Sequence, residues 1–230
     1  MYGYNLYIVL VLPAFIISLI AQARVKSAYS KMSRLLSRRG ITGAGAAKAV
    51  LNFYGINNVS IEQVSGKLTD HYDPRSNVIR LSDGVYSSCS VAAIGIACHE
   101  AGHAAQHAEN YMPIRIRNSI IPVCKIGSYA GIPVAFVGAA LSFEPLVLIG
   151  LALYSFIMIF QLATLPVELN ASRRAMSVIE QTGLLSDGEE MRGARKVLTA
   201  AAMTYVASLW VSIANLLRFI IMFTGNKRRR

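Results

Sequence analysis

Near the middle of the chain, residues 99–103 read His-Glu-Ala-Gly-His, residue types that can bind a metal and activate water. Histidines four residues apart lie about one helical turn apart, so His99 and His103 can present both imidazoles to one ion. Glu100 follows the first histidine, and from there its carboxylate can take a proton from an attacking water molecule. The spacing therefore predicts a metal-dependent hydrolytic site, with two histidine ligands and Glu100 as its general base.

The residues on both sides of this motif predict the helix that must hold it. Ser90 has a side chain suited to an N-cap, and alanine, the strongest helix former, recurs before and after the histidines. The alternative interpretation is a chance pentapeptide whose histidines pack in a core. We favour the metal, because the helix is apolar and the whole chain has only 4 histidines.

Composition indicates a membrane protein. The 230 residues are 54% hydrophobic and the mean hydropathy is +0.44, which excludes an ordinary soluble domain. The net charge of +11 suits either nucleic acid or the anionic inner leaflet of a bilayer. We expect the lipid and no nucleic acid, because the basic residues flank apolar runs. The 3 cysteines have neither disulfide nor metal spacing, which is typical of a reducing compartment.

Apolar runs predict three to four transmembrane helices. The first run has no basic residue before it and 6 between residues 24 and 39, which favours an uncleaved anchor with its N-terminus outside. The next two runs are expected to form a membrane hairpin. The predicted segments are an anchor at 1–23, a cytosolic catalytic part at 24–118, a membrane hairpin at 119–167, a cytosolic helix at 168–196, and an apolar helix with a basic tail at 197–230.

The last apolar run leaves two topologies open. A fourth crossing would carry the basic tail, residues 227–230, to the outside, against the positive-inside rule. The alternative is a helix that lies along the inner surface, with its basic end on lipid.

A small β-hairpin is predicted just ahead of the motif. Residues 59–64 and 77–82 have strand character, and residues 73–77 have turn chemistry between 68–72 and 78–81. The hairpin either covers one side of the motif helix or offers an edge that pairs with an extended peptide. On the second interpretation, the substrate is bound by Val78, Ile79 and Arg80, and His71 contacts the substrate or the oxyanion.

A catalytic zinc usually has three protein ligands, so a further residue must join the two histidines. His107 and Glu109 are near in sequence, but on a continuous helix His107 lies about 12 Å along the axis from His99. Glu168 has the required topology, because two crossings return the chain to the same membrane face. A new helix is expected to begin there, just as the third span ends. The alternative for Glu168 is a solvated carboxylate paired with one of the arginines that follow it.

Five stretches resemble one known family. They are 68–75 (LTDHYDPR), 78–82 (VIRLS), 90–93 (SVAA), 99–109 (HEAGHAAQHAE) and 165–175 (LPVELNASRRA). Together they resemble the YugP-like neutral zinc metallopeptidases, and the resemblance covers nearly the whole chain. It implies a bacterial cell-membrane zinc peptidase. The segment from Glu168 also looks like the third-ligand helix of the glutamate-type zincins, in which an aspartate is common at the position of Ser172.

The predicted fold class is a mainly α membrane protein (α+β), with a zincin-like metal helix and a small hairpin. The predicted function is a zinc-dependent endopeptidase with one Zn²⁺ per chain, acting on peptides or proteins. Zinc would polarise the scissile carbonyl, and Glu100 would act as base and then as proton donor to the leaving amine. We expect a multi-pass protein of the bacterial inner membrane, with its site on the cytosolic face and its oligomeric state open.

Two other classes of function remain as alternatives. One is a catalytically silent scaffold with a structural metal site, which would not need a carboxylate beside its ligand. The other is a metal-ion carrier. A carrier is expected to have ionisable residues within its spans, where this chain has almost none.

Overall fold

The computed structural model describes residues 7–224 and is mainly helical, with one small sheet. A π-helical turn at Tyr7–Val11 leads into the first α-helix. The α-helices are α1 Leu12–Met32, α2 Gly43–Phe53, α3 Asp83–Tyr86, α4 Val91–Ala108, α5 Met112–Ala140, α6 Glu144–Thr182 and α7 Glu189–Thr224; the strands are β1 Ser60–Val64, β2 His71–Asp73 and β3 Val78–Ser82. The prediction of a mainly α protein with a small hairpin is confirmed.

Among the described residues, 4 helical stretches are long and apolar enough to cross a membrane. They are Tyr7–Met32, Met112–Ala140, Glu144–Thr182 and Glu189–Phe223. Large apolar side chains on them, such as Phe15 and Leu148, are exposed, as expected where lipid is the solvent. The helices run beyond the predicted spans: α1, for example, continues to Met32, whereas the predicted anchor covers residues 1–23.

The chain divides into two compact units. The helical unit comprises, of the described residues, 7–21, 115–166 and 204–224. The site unit comprises residues 22–114 and 167–203. In the helical unit α5 and α6 approach closely. A Cβ added at Gly150 would collide with the backbones of Gly131 and Ala135, so the approach needs glycine at this position. The predicted metal ligands all lie in the site unit.

The strands form a mixed sheet in the order β1-β3-β2. β1 runs parallel to β3, and β2 runs antiparallel to it. The turn between β2 and β3 is stabilised by the Asp73 carboxylate, which accepts hydrogen bonds from the Arg75 amide (3.0 Å) and the Ser76 hydroxyl (2.7 Å). Asn77 ends the turn with φ of 53°, a conformation that asparagine tolerates better than most residues.

This topology corrects the predicted peptide-binding edge. β3 is the central strand, so its backbone already pairs with β1 on one side and β2 on the other. Val78 and Ile79 are buried, and Arg80 forms ion pairs with Glu62 and Asp73 within the sheet. An extended peptide therefore cannot pair with Val78, Ile79 and Arg80. The edge that remains on the hairpin is the outer side of β2.

Helix α6 also differs from its prediction. The change from apolar to polar residues near Glu168 predicted a new helix at that point. Instead α6 runs unbroken from Glu144 to Thr182, with Pro166 inside it. The change in polarity marks the passage from the helical unit to the site unit, which begins again at Val167. Glu168 is therefore held within a continuous helix.

The site depends on close packing of α4 against α6. Gly102, inside the His-Glu-Ala-Gly-His motif, faces the backbone of Ala171 on α6. A Cβ added at Gly102 would lie 2.8 Å from the Ala171 carbonyl oxygen, closer than real Cβ contacts. Only glycine allows the two helices to approach this closely without a shift. Ala97, Ala101 and Ala105 along α4 are fully buried in the same core.

Candidate metal centre

Three side chains from α4 and α6 meet at one point. Glu168 Oε2 lies 3.3 Å from His99 Nε2 and 3.5 Å from His103 Nε2. One ligand atom from each residue lies within 4.8 Å of the others. The side chains of His99 and His103 are 14% and 11% exposed, and that of Glu168 is 7% exposed. These largely buried groups could together hold a metal ion.

The separations fit a zinc ion. Two atoms bound to one tetrahedral zinc at about 2.0–2.1 Å lie about 3.3 Å apart. The two distances from Glu168 Oε2 to the imidazole nitrogens are 3.3 and 3.5 Å. Two neutral imidazoles and one carboxylate are also a donor set that zinc accepts in catalytic sites, where a further position stays open for water or substrate.

Both imidazoles are oriented by partners on their Nδ1 atoms. The Ser172 hydroxyl oxygen lies 3.1 Å from His99 Nδ1, and Gln106 Oε1 lies 3.0 Å from His103 Nδ1. In the neutral tautomer with its proton on Nδ1, each ring has an Nε2 lone pair that can bind a metal ion. Ser172, where the resemblance to glutamate-type zincins leads one to expect an aspartate, thus contacts the first histidine.

The electrostatics of the cluster favour a proton or a cation at His103. Burial alone lowers the pKa of an imidazole, because it disfavours the charged form. Here the hydrogen bond to Glu168 and the charges of Glu100 and Glu168 outweigh burial, and the pKa of His103 is raised. A site that stabilises positive charge on a buried imidazole also suits a divalent cation.

Glu100 stands beside the cluster and not within it. The cluster of metal-binding groups found among residues 7–224 contains His99, His103 and Glu168 only. Glu100 Oε2 accepts a hydrogen bond from the backbone amide of Tyr72 on β2, at 3.1 Å. Its carboxylate therefore contacts β2, an edge strand of the sheet, from the helix that carries both histidines.

The structure keeps His107 and Glu109 apart from the three metal-binding groups. His107 Nδ1 lies 3.2 Å from the Tyr72 hydroxyl. Glu109 pairs with Arg174 at 2.7 Å. Helix α4 continues through Ala108 without a break, so neither side chain can turn back to the ion that His99 would bind.

His71 is placed on β2 with its own local contact. Its Nδ1 atom lies 2.8 Å from the Thr69 carbonyl oxygen, and the residue is exposed. The predicted contact of His71 with substrate or oxyanion stays a prediction. His71 lies on the edge strand β2, whereas Val78, Ile79 and Arg80 lie on the central strand β3.

Two residues of this region were not identified from the sequence. Tyr72 contacts Glu100 through its amide, and Gln106 contacts both His103 and helix α6. A glutamine three residues after the second histidine, within an alanine-rich helix, was the available signal for Gln106. Nothing local marks Tyr72, since its contact joins residues 28 positions apart.

Comparison with known proteins points to a family of zinc peptidases. A family model described as "Putative neutral zinc metallopeptidase" matches residues 7–224. The chain is also 44% identical over 223 residues to the "Putative membrane protease YugP" of Bacillus subtilis (strain 168). That alignment covers 96% of this chain and 98% of the Bacillus protein. No solved structure matches the chain.

Proposed function

Since the chain belongs to the neutral zinc metallopeptidase family, we propose that it is a membrane-embedded zinc endopeptidase. One observation carries the proposal: the Nε2 atoms of His99 and His103 and the Oε2 atom of Glu168 gather at zinc-like separations. The carboxylate of Glu100 follows the first of these ligands on the same helix. Three metal-binding groups with an adjacent carboxylate suit a catalytic site, whereas a closed structural site does not need the carboxylate.

The zinc ion and the side chains of the protein would have separate roles in the reaction. A zinc ion held by His99, His103 and Glu168 would supply a Lewis acid for the scissile carbonyl and lower the pKa of water. Glu100 accepts the proton of the attacking water and then passes it to the leaving amine. The Nδ1 contacts from Ser172 and Gln106 keep the imidazole rings from rotating during these steps.

The substrate backbone is proposed to bind along the outer edge of β2. In an antiparallel pair, a residue points both its N–H and its C=O either toward the partner strand or away from it. The Tyr72 amide donates to Glu100, so it points away from β3. An extended peptide can accept this N–H through a carbonyl, which would release the Glu100 carboxylate to act as base. The edge strand thus replaces β3 as the proposed binding surface.

The proposed location is the bacterial inner membrane, with the site on the cytosolic face. The support is the run of basic residues that follows the first apolar segment. Four crossings would place the basic C-terminal residues with the N-terminus, on the outside. We therefore retain both topologies for the last helix, crossing or lying on the inner surface.

The direct test is Glu100→Gln in detergent-purified protein. The variant should bind zinc like the wild type and lose peptide hydrolysis by about 10²–10⁴-fold, the range for a general acid–base. The matched control is Glu62→Gln, since Glu62 is a surface carboxylate paired with Arg80, and it should hydrolyse peptide at the wild-type rate. Unchanged turnover in Glu100→Gln would refute the mechanism. If the wild type binds zinc but cleaves no peptide, the result would favour the scaffold. If the wild type carries zinc into vesicles, the result would favour the metal-ion carrier.

A further inference from the structure

Gln106 is a fully buried polar side chain beside the metal-binding groups, with 0% of its surface exposed. It forms three hydrogen bonds. Its Oε1 lies 3.0 Å from His103 Nδ1, and its Nε2 donates to the Val167 carbonyl (2.8 Å) and to Asn170 Oδ1 (2.9 Å). Burial of an amide is costly unless its groups are hydrogen-bonded. All the hydrogen bonds of the Gln106 side chain go to His103 or to α6, which indicates a structural role at this place.

The partners of Gln106 determine which way its amide points. The Val167 carbonyl can only accept a hydrogen bond, so the amide nitrogen of Gln106 must face it. The amide oxygen then faces His103, and this oxygen can also only accept. His103 must therefore donate from Nδ1, and in its neutral form this leaves the lone pair on Nε2, 3.5 Å from Glu168 Oε2, where it can bind a metal ion.

The same amide also positions the third ligand. Val167 and Asn170 lie on either side of Glu168 along α6, so two hydrogen bonds from one side chain hold the helical turn that carries the carboxylate. Asn170 Oδ1 is itself oriented by the Nε atom of Arg174, at 2.8 Å. The link from α4 to α6 therefore passes through a short chain of oriented polar groups.

We propose that Gln106 is a positioning residue, which selects the tautomer of His103 and holds the Glu168 turn at metal-binding distance. This role rests on the proposed zinc site. It assigns to one side chain the alignment of two ligands from different helices. Loss of an outer partner of a ligating histidine typically lowers metal affinity by about 10–100-fold.

The test is Gln106→Leu, which keeps the volume of the side chain and removes its three hydrogen bonds. Zinc affinity is measured by competition with a chromophoric chelator, and the geometry of the site by the visible spectrum of the Co²⁺-loaded protein. We expect a loss of zinc affinity of about 10–100-fold and an altered Co²⁺ spectrum. The matched control is Ser90→Ala, since Ser90 is the buried N-cap of the same helix. It should lower the midpoint of thermal unfolding and leave both metal measurements unchanged.

A second pair of variants decides the question if Gln106→Leu does not fold. Asn170→Asp keeps the acceptor oxygen for Gln106 and Arg174 and should bind zinc like the wild type. Asn170→Ala removes that oxygen and should lose zinc affinity. The proposal is overturned if Gln106→Leu, or Asn170→Ala in its place, changes only thermal stability and keeps the wild-type affinity and spectrum. Neither metal measurement requires peptide hydrolysis, so failure of the proposed activity and failure of this role give different results.

Discussion

Removal of the Glu168 carboxylate by Glu168→Ala should sharply weaken zinc binding. Zinc sites with four protein ligands bind with about 10–16 kcal/mol, or about 2.5–4 kcal/mol for each ligand when divided equally. Since about 1.4 kcal/mol corresponds to a tenfold change, the loss of one ligand is worth about 10²–10³-fold. The side chain is 7% exposed, and a water that enters the vacated space can recover part of this loss. We therefore expect the lower end, about 100-fold.

The assay is chelator competition on zinc-free protein in detergent, with two controls from the same region. His107→Ala and Glu109→Ala each remove a potential ligand that lies near the motif in sequence. Both should retain wild-type affinity, because His107 contacts Tyr72 and Glu109 pairs with Arg174. If affinity survives the loss of Glu168 and collapses with the loss of His107, the three-residue site and the glutamate-zincin assignment are both wrong.

Three further predictions follow from single positions. Gly102→Ala should cost about 1–3 kcal/mol of stability, because the added Cβ would lie 2.8 Å from the Ala171 carbonyl oxygen. The control is Gly95→Ala, whose added Cβ would lie 3.7 Å from its nearest neighbour atom. It should unfold no more easily than the wild type in thermal melts. Asp73 has its pKa lowered from 3.8 to about 2, mainly by hydrogen bonds in its turn. A lowered folded-state pKa stabilises the protein above about pH 4, and this contribution is lost toward pH 2; Asp73→Asn should therefore show a shallower acid dependence of its unfolding midpoint. A cysteine at exposed Lys67, in a cysteine-free background, should resist an impermeant reagent in intact cells; rapid labelling there would reverse the proposed orientation.

The sequence determined the parts of this protein that depend on local spacing. Histidines four residues apart share one face of any helix, so His99, Glu100 and His103 could be predicted as site residues without a fold. Apolar runs of span length predict membrane helices, because charged residues are costly to bury in lipid and such runs lack them. The hairpin was predictable because Asp73 and Asn77 have turn chemistry that acts over a few residues.

The tertiary structure decided what depends on contacts far apart in the chain. Glu168 comes within 3.3 Å of His99 although 69 residues separate them, and this depends on the close packing of α4 and α6 at Gly102. The exposed edge of the sheet was also undetermined, since β1 pairs with β3 in parallel and no local signal marks such pairing. A tertiary contact likewise joins Gln106, one polar residue in an alanine-rich helix, to His103 and to the backbone of α6 beside Glu168. Local spacing thus supplied the chemical groups, and long-range packing brought them to one point.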